Sequence, residues 1–386
     1  MSGVVNKGLK VDIFPDKAME HVLNQNMGNA RFIWNNILNR YNELYQLFKF
    51  HGYPLNPNIR NLNAILKMLK QEYSFLREGE STSQQQVFRD LNKSFTNFFK
   101  GTHNYPNFKS KKNPKQSFRI QKNGNNIRIT NKRIRLAKLG YVHYRTSKEY
   151  KKLLKKSKIN NVTVKKENGK YYAIINITTI VEYLDKTGKE VGIDLGLKNL
   201  ATLSNGQEIA NLDLNKEDKM IQKYQRKLSR QKYMSQNYQK TLKKYYKWLN
   251  RKNNKIQNDY HQFSKFLVEK YDLIAMETLN IKGMFQNPKW SPKLQKIALY
   301  KLIQMIKYKA EWYGKKFIQI DRFYPSSQKC SNCEYQYTNL TLEIRKWTCP
   351  KCKTTHHRDI NAAKNILNEG KRIIKNNEPV SQRGIA

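Results

Sequence analysis

Four cysteines fall within 23 residues as two close pairs, Cys330-x-x-Cys333 and Cys349-x-x-Cys352, separated by 15 residues. Each pair lets one tight turn offer two thiolates to a metal. The residues between, ending in the strand-like Arg345-Lys346-Trp347-Thr348, fold back as a hairpin that brings the two turns together. This is the chemistry of a structural zinc ribbon: four thiolates, tetrahedral, with no open position for catalysis. His356 and His357 follow directly, but a closed four-cysteine site needs neither. Zinc there supplies folding energy to a module too small for a core of its own.

Three carboxylates form a second set. Asp194 ends the apolar run VGID and precedes Leu195-Gly196, Glu277 ends LIAME, and Asp359 opens the helical HHRDINAAKNI. Read singly, Asp359 has the position of a helix N-cap and Glu277 that of a solvated strand end. Taken together they have the order of an RNase H-like fold: Asp on the first strand, Glu ending the fourth, Asp on a late helix. Such a fold gathers the three over one sheet edge. Clustered hard oxygens suit Mg²⁺. Two such ions about 3.5–4 Å apart clamp the attacking and leaving oxygens of a phosphodiester.

The elements that must hold these residues follow from periodicity. Residues 4–14 read as a strand ended by Pro15. Residues 16–104 read as a helical module: one helix interrupted at Gly28, a second carrying Leu62, Ile65, Leu66 and Leu69, and a third over 83–100. Residues 105–170 hold 21 Lys+Arg against two acids, with strand-like runs at 117–121, 126–130, 133–139 and 141–145. Two further strands follow over 161–179 around the Asn168-Gly169 turn. These read as a curved sheet or small barrel with one apolar and one basic face, into which the helical module is inserted. Residues 190–210 read strand–turn–strand. Residues 215–270 read as a basic helical hairpin with Leu242, Leu249, Ile256 and Phe263 at seven-residue spacing. A buried strand over 271–279, a helix over 292–313, a strand over 316–321 and a helix over 359–368 complete the chain.

The 386 residues carry 74 Lys+Arg and 29 Asp+Glu, a net charge of +45. With 38% apolar and 12% aromatic residues the chain can bury cores, so it is not a disordered polycation. The charge points to a polyanion. No stretch approaches the ~20 apolar residues of a membrane span, and residues 1–10 hold no apolar run of signal-peptide length. A cytoplasmic, nucleoid-associated protein is expected, with no membrane partner. Clustering of all four cysteines argues for metal binding and against disulfides.

The strings VGIDLGLKNLATLS, AMETLNIKGM and CSNC…WTCPKCKTTHHRDINAAKNI resemble the three split RuvC motifs and zinc ribbon of the TnpB (OrfB) proteins, RNA-guided nucleases of insertion-sequence transposons related to small type V CRISPR effectors. GNARFIWNNIL, STSQQQVFRDLNKSFTNFFKG, YPNFKSKKN and SRQKYMSQNYQK extend the resemblance over nearly the whole chain. It implies a multidomain α+β protein. A wedge-type β-barrel would occupy 1–15 and 105–180, with a helical recognition lobe inserted at 16–104. A RuvC (RNase H-like) α/β nuclease would occupy 187–326 and 356–370, with a zinc ribbon at 327–355 and a disordered tail at 371–386. It implies a guide RNA from the transposon end, a double-stranded DNA target beside a short duplex motif, and two-metal hydrolysis at Asp194, Glu277 and Asp359. Two departures stand out. The Gly that follows each Cys pair in the family is Glu334 and Lys353 here, and the Asp before Arg358 is His357.

Residues for nucleic-acid contact are Gln85 and Gln86 on a helix, whose amides can pair with adenine edges, together with Lys109, Lys111, Lys112 and Arg358. Lys151, Lys152, Lys155, Lys156 and Lys158 would track a backbone by charge. Among 24 tyrosines, those interleaved with lysine over 223–248 either stack on bases or pack the hairpin. The chain reads as a monomer, with a dimer open. The alternative functions are a non-cleaving RNA-guided or direct DNA-binding regulator of transposition, and a DDE-type transposase of the same fold.

Overall fold

A computed structural model describes residues 1–53, 57–196, 199–279, 298–341 and 343–377. The chain divides into two compact units, one of residues 4–180 and one of residues 1–3 with 181–386.

The first unit begins in β1 (Ser2–Phe14) and continues through α1 (Lys17–Phe50), α2 (Ile59–Glu72), the single turn α3 (Phe75–Glu78) and α4 (Ser81–Phe99). There follow β2 (Lys115–Gln121), β3 (Ile127–Ile129), β4 (Arg133–Leu136), β5 (Gly140–Arg145), α5 (Lys148–Lys156), β6 (Lys158–Glu167) and β7 (Lys170–Glu182). The sheet order is β2-β6-β7-β1-β5-β4-β3, so the strand that precedes the helices lies at the centre of the sheet that follows them. Among the described residues no ladder joins β2 to β3, so the barrel is open, a half-barrel. Alternation turns Ile120, Ile134, Val142, Val162, Val164, Ile175 and Ile177 inward onto the stripe Leu23, Ile33, Ile37 and Leu38 of α1.

Two local readings are corrected, one in each unit. Helix α1 is continuous through Gly28. Asp16 caps it, its carboxylate accepting from the Met19 amide at 2.7 Å, and buried residues on both sides of the glycine (Leu23 and Met27, then Ala30, Ile33 and Trp34) hold it in register. The lysine run 151–156 is the exposed side of α5, whose Leu154 is buried. The second correction belongs to the second unit.

That unit contains β8 (Glu190–Leu195), β9 (Asn199–Leu203), β10 (Glu208–Ala210), α6 (Asn215–Ser229), α7 (Gln236–Lys270), β11 (Leu273–Glu277), α8 (Leu299–Trp312), β12 (Lys316–Ile320), β13 (Lys346–Thr348), β14 (Thr355–His357) and α9 (Arg358–Asn377). The main sheet has the order β10-β9-β8-β11-β12. Its first three strands are antiparallel, and β8, β11 and β12 are parallel. Val191, Ile193, Ile274 and Met276 face Ile256, Phe263 and Leu267 of α7 and Leu302 and Ile306 of α8. The alternate residues face α9. An added Cβ at Gly192 would lie 1.9 Å from the Ala363 carbonyl oxygen, and one at Gly370 would lie 2.8 Å from the Ala275 Cβ. Two missing side chains thus let α9 rest directly on the strands. Gly370 is therefore interior to a helix that runs to Asn377, through residues read from the sequence as the start of a loose tail; Ile373 packs near Ile366 and Ile320. Residues 378–386 and the start of the 292–313 helix lie outside the described residues. Among the described residues no helix is long and apolar enough to cross a membrane.

Candidate active site and metal centre

The β8–β11 ladder ends with Ile193 opposite Met276. The next residue on each strand is Asp194 and Glu277, so the two carboxylates sit side by side at the C-terminal end of neighbouring parallel strands. Period two places Asp194 on the Gly192 face and Glu277 on the Ala275 face, the side covered by α9. Asp359 is in the first turn of α9. All three acids are partly buried. Burial, then the charges of Glu277 and Asp359, push the Asp194 carboxyl well above the usual carboxylate range. Burial also raises Glu277. The set is thus an excess of hard anionic oxygens held close by rigid elements, a donor set that fits a divalent hard cation.

A fourth residue, missed in the sequence, belongs to this set. Arg345 Nη1 donates to both oxygens of Asp359, at 3.0 and 3.3 Å. It stands just before β13 and is half exposed, so no periodicity marks it. Arg358, read as a nucleic-acid contact, is instead buried, with Nη1 donating to the Thr341 carbonyl at 2.9 Å. Two asparagines of the DINAAKNI string also have structural partners. Asn361 accepts from the Ser331 amide at 2.9 Å and donates to the Lys329 carbonyl at 2.7 Å. Asn365 donates to the Ser326 and Lys329 carbonyls at 2.8 and 2.6 Å. These bonds tie the first cysteine turn to the helix that carries Asp359.

The four cysteine Sγ atoms lie within 4.8 Å of one another. Cys330–Cys352 and Cys333–Cys349 are each 3.6 Å apart. Four Zn–S bonds of about 2.3 Å in a tetrahedron set S···S near 3.8 Å, so the thiols fit zinc. The two turns are alike: the Glu334 amide donates to the Cys330 carbonyl and the Lys353 amide to the Cys349 carbonyl, both at 2.9 Å. Glu334 and Lys353 have φ of 61° and 59°, the left-handed conformation that explains a glycine preference there. Hydrogen bonds from Thr354 bring the Cys352 thiol down to about 5. His356 Nε2 is 3.0 Å from Cys330 Sγ, and its ring lies 4.9 Å from that of Trp347. His357 is on β14, with Nδ1 buried and unpartnered.

In the other unit, the glutamines of α4 separate. Gln85 is exposed, while Gln86 is buried and lines a polar cavity of about 210 Å³ with Asp90, Lys109 and Arg119. Lys109 lies 3.6 Å over the Trp34 ring, where desolvation lowers its pKa to about 8. Lys111 and Lys112 are exposed.

Beyond the fold and the site, comparison with known proteins gives the class. Three family models match: a "Helix-turn-helix domain" of OrfB over residues 1–49, a "Probable transposase" model, OrfB_IS605, over 162–288, and a "Cas12f1-like, TNB domain" over 300–366. In this chain residues 1–49 are one strand and one unbroken helix. A "Putative RNA-guided DNA endonuclease" of Streptomyces pristinaespiralis is 29% identical over 371 residues, covering 95% of this chain and 90% of that protein. A similarly named protein of Escherichia coli strain K12, InsQ, is 28% identical over 393 residues, covering 97% and 94%. A cryo-EM structure of a Cas12f1-sgRNA-target DNA complex shares the fold, with a TM-score of 0.60 at 13% identity, covering 95% of this chain and 99% of that one. The chain is thus similar to the OrfB family models over residues 1–49 and 162–288 and to these two relatives over nearly its whole length.

Proposed function

We propose that this protein is an RNA-guided DNA endonuclease that hydrolyses phosphodiesters at Asp194, Glu277 and Asp359. One observation carries the reading: three carboxylates from β8, β11 and the first turn of α9 converge at the C-terminal edge of a five-stranded sheet whose order and directions are those of an RNase H-like (RuvC) core. The names of the relatives point the same way. Mg²⁺ held by these acids would activate the attacking water and offset charge on the departing 3′ oxygen. The chain's own part is positional. Strands β8 and β11 fix two of the acids, and α9 sets the third against them. Arg345 offsets the charge of Asp359 and offers a guanidinium to a phosphate placed there. The cysteine cluster, filled by zinc, holds the hairpin that carries Arg345 in place.

Guide and target are read as RNA and double-stranded DNA bearing an adjacent motif. The charge of +45, with 21 basic residues against two acids over 105–170, supports a path for a polyanionic duplex. The test is cleavage of supercoiled plasmid carrying the target, with guide RNA and Mg²⁺. Wild type should linearise or nick it, and Asp194→Ala should not. Equal cutting by both would remove the nuclease assignment.

A further inference from the structure

The hairpin of α6 and α7 has a charge distribution that the active site does not use. From residue 219 to 258 it carries 13 Lys+Arg and no acid. The acids at its base are already engaged: Glu217, with no exposed side-chain surface, pairs with Arg251 and Lys255, and Asp218 pairs with Lys252. The other ten basic residues make no ion pair among the described residues.

At the tip this charge surrounds a cluster of tyrosines. Tyr233 and Tyr238 have ring centroids 5.3 Å apart, and Tyr245 and Tyr246 are 5.7 Å apart. Burial and the neighbouring phenols of Tyr238, Tyr245 and Tyr233 raise the Tyr246 hydroxyl, which places all four rings in one group. The outermost ring is open to water: Tyr233 is 60% exposed and Met234 beside it 63%. Met234 has φ of 66°, so the turn that presents Tyr233 is held in a conformation rare for a non-glycine residue. Rings meant only to pack two helices would be covered. Tyr233 stands uncovered and Tyr238, Tyr245 and Tyr246 are only partly covered, with Lys232, Lys240, Lys243 and Lys244 on the same short stretch of chain.

We infer that the tip of the α6–α7 hairpin is a stacking platform for unpaired DNA, with Tyr233 and Tyr245 receiving base faces and Lys240, Lys243 and Lys244 the flanking phosphates. A ring can stack only on a base that is out of a duplex, because paired bases keep their faces covered. One exposed ring and a partly exposed one among lysines therefore suit a single strand better than a duplex, for which the lysines alone would serve. The inference rests on the proposed function in one respect: a guide that pairs with one strand of a duplex leaves the other strand unpaired.

The test is direct binding by the full-length protein, without guide and without Mg²⁺, so that it does not depend on cleavage. Fluorescent oligo(dT), oligo(U) and a DNA duplex of equal charge are titrated by anisotropy. Tyr233→Ala/Tyr245→Ala should weaken oligo(dT) binding by about 10-fold or more per ring, with little change on duplex. Tyr233→Phe/Tyr245→Phe keeps the faces and should bind as wild type, which separates stacking from a folding defect. Lys243→Gln/Lys244→Gln should flatten the salt dependence by about 0.7 per charge. The platform is overturned if the alanine pair binds oligo(dT) as wild type, if it loses duplex equally, or if oligo(U) binds tighter than oligo(dT). Loss of plasmid cleavage with oligo(dT) binding intact would count against the nuclease assignment alone.

Discussion

Gly192→Ala tests how the site is built without touching any of the three carboxylates. The added methyl would meet the Ala363 carbonyl at 1.9 Å and the Leu367 amide nitrogen at 2.7 Å, both of them backbone atoms of α9. Real Cβ contacts essentially do not fall below 3.0 Å, so helix and strand must separate by about 1.1 Å. No side-chain rotation can relieve this. Overpacking of this kind costs about 1–3 kcal/mol. Separation moves Asp359 away from Asp194 and Glu277, which belong to the sheet. A 1 Å misplacement costs on the order of 10²-fold in rate. The assay is guide-dependent plasmid cleavage alongside thermal unfolding. The expected result is a folded protein with a lower Tm and about 100-fold slower cutting. Wild-type cutting at an unchanged Tm would refute the docking of α9 on β8 as the device that assembles the acids.

Two further outcomes follow from the same structure. Gly28→Ala lies in the interior of α1, with only the flexible end of Arg31 within 4 Å of the new methyl, at 3.9 Å; it should stabilise the protein by about 0.5–1 kcal/mol, read by urea unfolding, whereas a helix break at residue 28 would make it neutral or worse. Chelation of zinc should unfold the ribbon and expose Trp347, now buried and stacked 5.7 Å from Tyr337, so its fluorescence should shift red and return on adding Zn²⁺. A fluorescence spectrum indifferent to chelator would remove the metal from the four cysteines.

Residue type and spacing alone disclosed much of this protein. Two C-x-x-C turns at short range can close on one ion because the hairpin between them is local. Alternation in 117–145 and 161–179 marked strands because each buries one face. The three acids were visible because each ends an apolar element or opens a helix, and charge follows from composition without any fold. Other features depended on contacts between residues far apart in the chain. Gly28 is read as a break by local rules and Gly370 lies past the helix end read at 368, yet both are helix interior: buried neighbours hold the first, and close approach to Ala275 requires the second. Gln85 and Gln86 look alike in sequence, but packing of α4 leaves one exposed and buries the other. Arg358 and Arg345 are two arginines near one acid. Only the turn of β14 into α9 decides that Arg358 is spent on the Thr341 carbonyl while Arg345 reaches Asp359. Local sequence determines which elements form and which chemistry they carry. Their convergence is decided by whether backbones can touch, and at Gly192 by the absence of one methyl group.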